Sequence, residues 1–185
     1  MISRKEFFTK SFKAAFGAAA KVLDARLPAE IKELPRQIYP PGAAKDFTEK
    51  CAACGDCAAS CPVDAIQIKK DAVSGQNVAM IVPRDQPCIM CEELPCTHTC
   101  NQQALLPPAG NAFPKIGLAV FREDVCLAYT GSYCMTCYDA CPLKRRAMLL
   151  EFNRPVIDAS TCTGCGVCEQ VCILSSENGV VIEPV

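Results

Sequence analysis

Sixteen cysteines fall into four groups of four along this chain, and no other feature restricts what it can fold into so severely. The first group runs C-A-A-C-G-D-C-A-A-S-C-P from Cys51 to Pro62, with Cys51, Cys54, Cys57 and Cys61 as its thiols. Three thiolates at C-x2-C-x2-C spacing converge on one iron–sulfur cubane when the backbone wraps it as a tight loop, and the fourth, ahead of a proline, points elsewhere. Ala52, Ala53, Ala58 and Ala59 are small enough for backbone amides to approach cluster sulfurs, and Gly55 permits a turn at positive φ. Zinc sites favour two C-x2-C pairs separated by a dozen or more residues, and disulfide frameworks do not favour such even spacing. The spacing therefore favours iron–sulfur chemistry.

The second group is Cys88, Cys91, Cys96 and Cys100, and the third is Cys126, Cys134, Cys137 and Cys141, with Pro142 after it. The fourth, Cys162, Cys165, Cys168 and Cys172, repeats the spacing of the first. Sixteen thiolates match four 4Fe-4S cubanes without remainder, which leaves no case for a 3Fe-4S centre. Because the fourth cysteine of a group ligates the neighbouring cluster in two-cluster ferredoxins, the groups pair. Regular spacing pairs group one with group four, and the widened loops pair group two with group three. That arrangement predicts one cubane on Cys51, Cys54, Cys57 and Cys172, and a second on Cys61, Cys162, Cys165 and Cys168. A third takes Cys88, Cys91, Cys96 and Cys141, and a fourth takes Cys100, Cys126, Cys134 and Cys137. Neighbour pairing, one with two and three with four, is the rival topology.

Successive groups start 37, 38 and 36 residues apart, the period of one supersecondary unit used four times. Strands are expected at Ala65 to Lys69 and Val78 to Val82, at Leu118 to Phe121, at Met148 to Phe152 with Val156 to Asp158, and at Val180 to Glu183. The fold class that follows is α+β, a tandem ferredoxin-like arrangement poor in regular secondary structure. With no Trp and few aromatics the apolar core is small, so cluster insertion is expected to be coupled to folding.

The formal net charge of -1 conceals an asymmetry. Residues 1–26 carry six cations (Arg4, Lys5, Lys10, Lys13, Lys21, Arg26) against Glu6 and Asp24, which leaves an acidic remainder and argues against nucleic-acid binding. No run approaches the eighteen apolar residues of a membrane span. The segment S-R-K-E-F-F-T-K, Ser3 to Lys10, looks like a degenerate twin-arginine export signal with Lys5 in the second arginine's place. An uncleaved amphipathic helix is the other reading, with Phe8, Phe12, Phe16, Ala19, Leu23 and Leu27 on one side. Residues 1–27 are thus a basic segment able to touch a membrane surface or a partner, residues 28–46 a Pro-rich linker, and residues 47–185 the cluster domain.

The segments P-C-I-M-C-E-E-L-P-C-T-H-T-C (Pro87 to Cys100), I-G-L-A-V-F (Ile116 to Phe121), C-M-T-C-Y-D-A-C-P-L (Cys134 to Leu143) and C-T-G-C-G-V-C-E-Q-V-C (Cys162 to Cys172) resemble the MauM/NapG family of ferredoxin-type proteins. The resemblance covers about residues 47 to 185. It implies four 4Fe-4S clusters, export, and electron transfer between a membrane quinol-oxidising partner and a periplasmic acceptor, on the periplasmic side of the cytoplasmic membrane. Related iron–sulfur subunits of molybdenum oxidoreductases pair group one with group four. Asn101 and Ile173 follow Cys100 and Cys172 where the family often has proline, and Arg-Lys replaces the twin arginine. The last departure leaves a cytoplasmic protein with an uncleaved N-terminal helix as the alternative location.

His98 is the sole histidine and surplus to a full cysteine set, so it reads as hydrogen-bonding or exposed. One histidine also excludes most acid–base and metal-hydrolase chemistry. Ile89, Met90, Met135 and Tyr138, lying between ligands, are expected to shield clusters from water. Lys144, Arg145 and Arg146 form either a solvated face or a docking point for an acidic redox partner. No glycine-rich phosphate loop is present, and too little chain remains for a flavin or substrate domain. The sequence reads as an electron-transfer protein without a substrate site of its own. The alternatives are a subunit of a different molybdenum, tungsten or hydrogenase-type oxidoreductase, or a cluster-delivery or structural iron–sulfur protein.

Overall fold

The computed structural model describes residues 36–110, 113–174 and 178–185, which belong to one compact unit, Arg36–Val185. The basic segment 1–27, with its export-signal and amphipathic-helix readings, lies outside the described residues.

Every helix described is a single turn, because each is only the continuation of a cysteine loop. In chain order the elements are α1 (Phe47–Lys50), α2 (Asp56–Ala59), β1 (Ile66–Lys70), β2 (Asn77–Ile81), α3 (Pro95–His98), β3 (Leu118–Phe121), α4 (Thr136–Ala140), β4 (Met148–Glu151), β5 (Arg154–Ile157), α5 (Val167–Gln170) and β6 (Val180–Glu183). The expected strands are present, most to within about a residue at either end. They pair as three antiparallel two-stranded sheets, β1 with β2, β3 with β6, and β4 with β5.

This pairing makes two halves of one plan. In the second half, β3 leads into group three, the β4–β5 hairpin carries the chain to group four, and β6 returns beside β3 with Phe121 opposite Val180. In the first half, α1 and group one precede the β1–β2 hairpin, group two follows it, and a bridge between Ala43 and Leu105 stands where β3 and β6 pair in the other half. Two hydrogen bonds extend that bridge, Ala44 N–H to Ala104 O and Leu106 N–H to Gly42 O. The repeating unit therefore contains two cysteine groups and one hairpin, not one group as the sequence period implies.

Residues 36–46 are a correction to the expected linker. Ile38 bridges Ile81 and is 1% exposed, Pro40 and Pro41 are fully buried, and Tyr39 stacks on Phe47 with ring centroids 4.8 Å apart. The Tyr39 hydroxyl donates to buried Asp71, whose other oxygen accepts from Val73 N–H in the β1–β2 turn. Prolines in this stretch are packing residues rather than spacers.

The core joins Ile38, Val78, Ile81, Leu105, Met148 and Ile182 to the thiols of Cys57, Cys88, Cys96, Cys137, Cys165 and Cys168. Cysteines thus form much of the wall between small hydrophobic patches. Two arginines fasten the unit. Arg36 forms a two-pronged ion pair with fully buried Glu169 at 2.7 and 2.8 Å, and Ile182 N–H donates to the same carboxylate at 2.6 Å. Arg84, just after β2, donates to the carbonyls of Glu169, Cys172 and Leu174, capping α5 from the other half.

Candidate iron–sulfur centres

Four small spaces are each lined by four cysteines, and together they use all sixteen. Space A has Cys51, Cys54, Cys57 and Cys100, and space B has Cys61, Cys88, Cys91 and Cys96. Space C has Cys141, Cys162, Cys165 and Cys168, and space D has Cys126, Cys134, Cys137 and Cys172.

The three leading cysteines of each group come together as expected. The fourth does not go where the regular spacing sends it. Cys100, not Cys172, joins Cys51, Cys54 and Cys57; Cys141, not Cys61, joins Cys162, Cys165 and Cys168. Cys61 and Cys172 likewise join the second and third groups. The reason is the hairpin: β1–β2 returns the chain beside group one, so α2 and α3 pack together and exchange their fourth cysteines, as α4 and α5 do in the other half. In the structure each fourth cysteine therefore lies beside the three leading thiols of the group next to it in sequence, and not beside those that equal spacing picks out.

Three of the four loops turn through left-handed backbone at two places. In group one these are Ala53 and Gly55 (φ 52° and 87°), in group two Met90 and Leu94 (55° and 43°), and in group four Gly164 and Gly166 (74° and 92°). The second position of each pair precedes a one-turn helix, so the reversal aims the loop's amides inward while the next cysteine enters the helix. Group three replaces the first turn with the longer stretch from Leu127 to Tyr133, and Met135 before α4 has φ of -128°.

Backbone amides reach the sulfurs. Ala65 N–H donates to Cys61 Sγ at 3.3 Å, Leu105 N–H to Cys100 Sγ and Gly179 N–H to Cys172 Sγ at 3.4 Å, and Met90 N–H to Cys88 Sγ at 3.5 Å. Three of these four acceptors are the exchanged cysteines, each met by the backbone just after its loop. Such bonds favour the charged sulfur and tune a cluster's potential.

The donor chemistry fits a cluster. Desolvation pushes the Cys57 thiol up to about 11 and Cys88 and Cys137 up to about 12, with neighbouring thiols adding to it. Cys96 rises to about 11 by burial and by the nearness of Cys61 and Cys57, and Cys165 and Cys168 rise for the same kind of reason. Four converging thiols, at least one of them buried in every space, do not ionise together without cationic charge in their midst, which iron would supply while displacing the protons. Among the described residues no three His, Cys, Asp or Glu converge on a point suited to one metal ion. Quartets of thiols are the ligand set of a 4Fe-4S cluster.

A family model described as a 4Fe-4S binding domain matches residues 44–67 and 155–172, which hold groups one and four. The chain is 32% identical over 191 residues to the methylamine utilization ferredoxin-type protein MauM of Methylorubrum extorquens, a match that covers 93% of this chain and 85% of that protein. The chain belongs to the MauM/NapG family of ferredoxin-type proteins. MauM of Methylobacillus flagellatus is 35% identical over 151 residues, covering 75% of this chain and 64% of its own. Ferredoxin-type protein NapG of Escherichia coli K12 is 36% identical over 157 residues, covering 75% and 67%. As a MauM/NapG protein with 4Fe-4S binding domains, the chain is an iron–sulfur electron-transfer protein.

Other expected residues fall as follows. His98 is exposed at the end of α3. Met90 is partly buried and its sulfur accepts from the Thr163 hydroxyl, while Tyr138 packs against the core. Met135 is partly buried, and Ile89 lines space B yet is 48% exposed. The sequence reading missed Arg36, Arg84, Asp71 and Glu169. Glu169, which stands where group one has Ala58, carried the only available signal. Among the described residues no helix is long and apolar enough to cross a membrane.

Proposed function

We propose that the chain carries four 4Fe-4S clusters, one in each of spaces A to D, held by the four cysteines that line it, and passes single electrons along them in that order. The carrying observation is four cavities of nearly equal size, each with four thiols and none left over. The order is supported by proximity. Cys57 of A neighbours Cys96 of B, Cys88 N–H of B donates to Cys165 O of C at 3.0 Å, and Cys137 of D neighbours Cys168 of C. Clusters would supply the one-electron redox change, and the chain holds them apart from water and from one another.

The partners of this reading are a membrane quinol-oxidising protein and a terminal oxidoreductase on the periplasmic side. Family membership and the names of relatives, which tie them to methylamine utilization, support the kind of partner.

Anaerobic reconstitution followed by redox titration with EPR is the test, expected to give four one-electron centres. Cys100→Ser should perturb the same centre as Cys51→Ser, and Cys172→Ser the same centre as Cys126→Ser. Cys172→Ser altering the Cys51 centre instead would restore the one-with-four pairing and sink this assignment.

A further inference from the structure

The β4–β5 hairpin ends in an unusual turn. Phe152 and Asn153 both have positive φ, 49° and 63°, the conformation of a tight two-residue hairpin turn. Asn and Gly suit such positions, whereas a bulky aromatic there is strained. Phe152 is also 98% exposed, so no packing in the unit compensates. The β1–β2 hairpin solves its turn differently, with Asp71 accepting from Val73 N–H and Gly75 taking the left-handed position. An exposed, strained phenylalanine is therefore not a requirement of the fold.

Its surroundings are cationic and apolar. Lys144, Arg145, Arg146 and Arg154 are all exposed, with Glu151 on the hairpin and Glu123 and Asp158 as the acids near them, and Leu149 and Leu150 are each more than a third exposed. Lys144 bridges Met148 and Arg145 N–H donates to Met148 O, which fixes the basic run to the root of β4. Aromatic and arginine anchors at an apolar patch are the composition of protein–protein hot spots.

The hairpin borders two spaces: Met148 and Ile157 at its root line space C, as do Leu143 and Ala147 on either side of the basic run, and its β5 side reaches space D. Pro155 lines that space, the Tyr129 hydroxyl donates to Pro155 O at 2.8 Å, and the Arg154 guanidinium lies 5.7 Å from the Tyr129 ring centre. Tyr129 is three residues past Cys126.

From this juxtaposition we propose that the β4–β5 hairpin, with Phe152 as apolar anchor and Lys144, Arg145, Arg146 and Arg154 as rim, docks an acidic electron-transfer protein against spaces C and D. Position decides for a redox protein over an anionic membrane, since a partner seated here lies against two of the cysteine-lined spaces, C and D, and charge complementarity favours acid. The inference rests on the electron-transfer reading. The step is one electron leaving the reduced protein and one entering the acceptor, with no bond or proton involved.

The test uses full-length holo-protein, reduced with dithionite and mixed by stopped flow with plastocyanin as acidic acceptor, basic cytochrome c, or a small ferrocenium salt. Wild type should reduce plastocyanin with a rate that falls as salt rises. The K144Q/R145Q/R146Q variant and Phe152→Gly should each slow that reaction about tenfold at low salt, while ferrocenium and cytochrome c rates stay within twofold or so. Phe152→Gly relieves the turn and should melt no lower than wild type, so its loss of rate would not be a folding defect. Unchanged plastocyanin rates, or equal losses with all three acceptors, would overturn the docking surface. So would unchanged plastocyanin rates together with variant-sensitive binding to 70:30 phosphatidylcholine:phosphatidylglycerol vesicles, which would make the patch a membrane contact. Failure of the electron-transfer reading looks different: wild-type holo-protein would reduce none of the acceptors.

Discussion

Groups one and four have the same cysteine spacing, yet their loops live in different surroundings. Cys54 is exposed, and a Cβ on Gly55 would meet nothing within 4 Å. In group four, Gly164, Cys165 and Gly166 are all buried, a Cβ on Gly164 would land on the backbone of Gly117, and one on Gly166 would sit 2.5 Å from Pro83 Cβ. Ala53 occupies in group one the left-handed place that Gly164 occupies in group four. An alanine is tolerable where only the turn constrains the residue, and glycine is required where another backbone also presses on it. One ligand spacing therefore builds both a surface loop and an interior one, and packing decides which.

That contrast can be broken most forcefully at Gly164. Gly164→Ala forces either its own loop or Gly117 to move, and is expected to cost more than about 3 kcal/mol. Holo-protein should lose the centre of space C and with it about a quarter of its iron, measured by iron analysis and EPR; full iron content would mean the close approach is not restrictive. Next is Glu169→Ala, at the place where group one has Ala58. It strips Arg36 of its partner and leaves the Ile182 N–H unpaired in the interior, a loss of about 2–3 kcal/mol in anaerobic thermal denaturation. A melting temperature equal to wild type would show that the network is ornamental to stability. The smallest effects belong to the open loop. Gly55→Ala should cost only the left-handed penalty of about 1 kcal/mol, and Ala53→Gly should fall within about 0.5 kcal/mol of wild type. If Gly55→Ala proved as damaging as Gly164→Ala, the distinction between surface and interior loops would fail.

Much of the site was legible because it is local. A C-x2-C-x2-C run contains its own wrapping instructions in the small residues and left-handed turns between thiols, and the short strands announced themselves through alternation and flanking turns. The widened loops of groups two and three were visible as insertions, though not what they do: Leu127 to Tyr133 carries Tyr129, which braces the β4–β5 hairpin. Glu169, although larger than its counterpart Ala58, reads as solvated in a short cysteine loop until Arg36, far away in sequence, is brought beside it.

By itself the sequence determined how many thiol groups there are, which three thiols of each share a loop, where the strands lie, and that metal rather than a large apolar core organises the chain. Those properties are set within a dozen residues by spacing and backbone allowance. Only the tertiary structure decided which loop each fourth cysteine lies beside and that residues 36–46 belong to the body. A fourth cysteine reaches whichever loop the intervening hairpin folds back upon, and similarity of spacing carries no information about that fold-back.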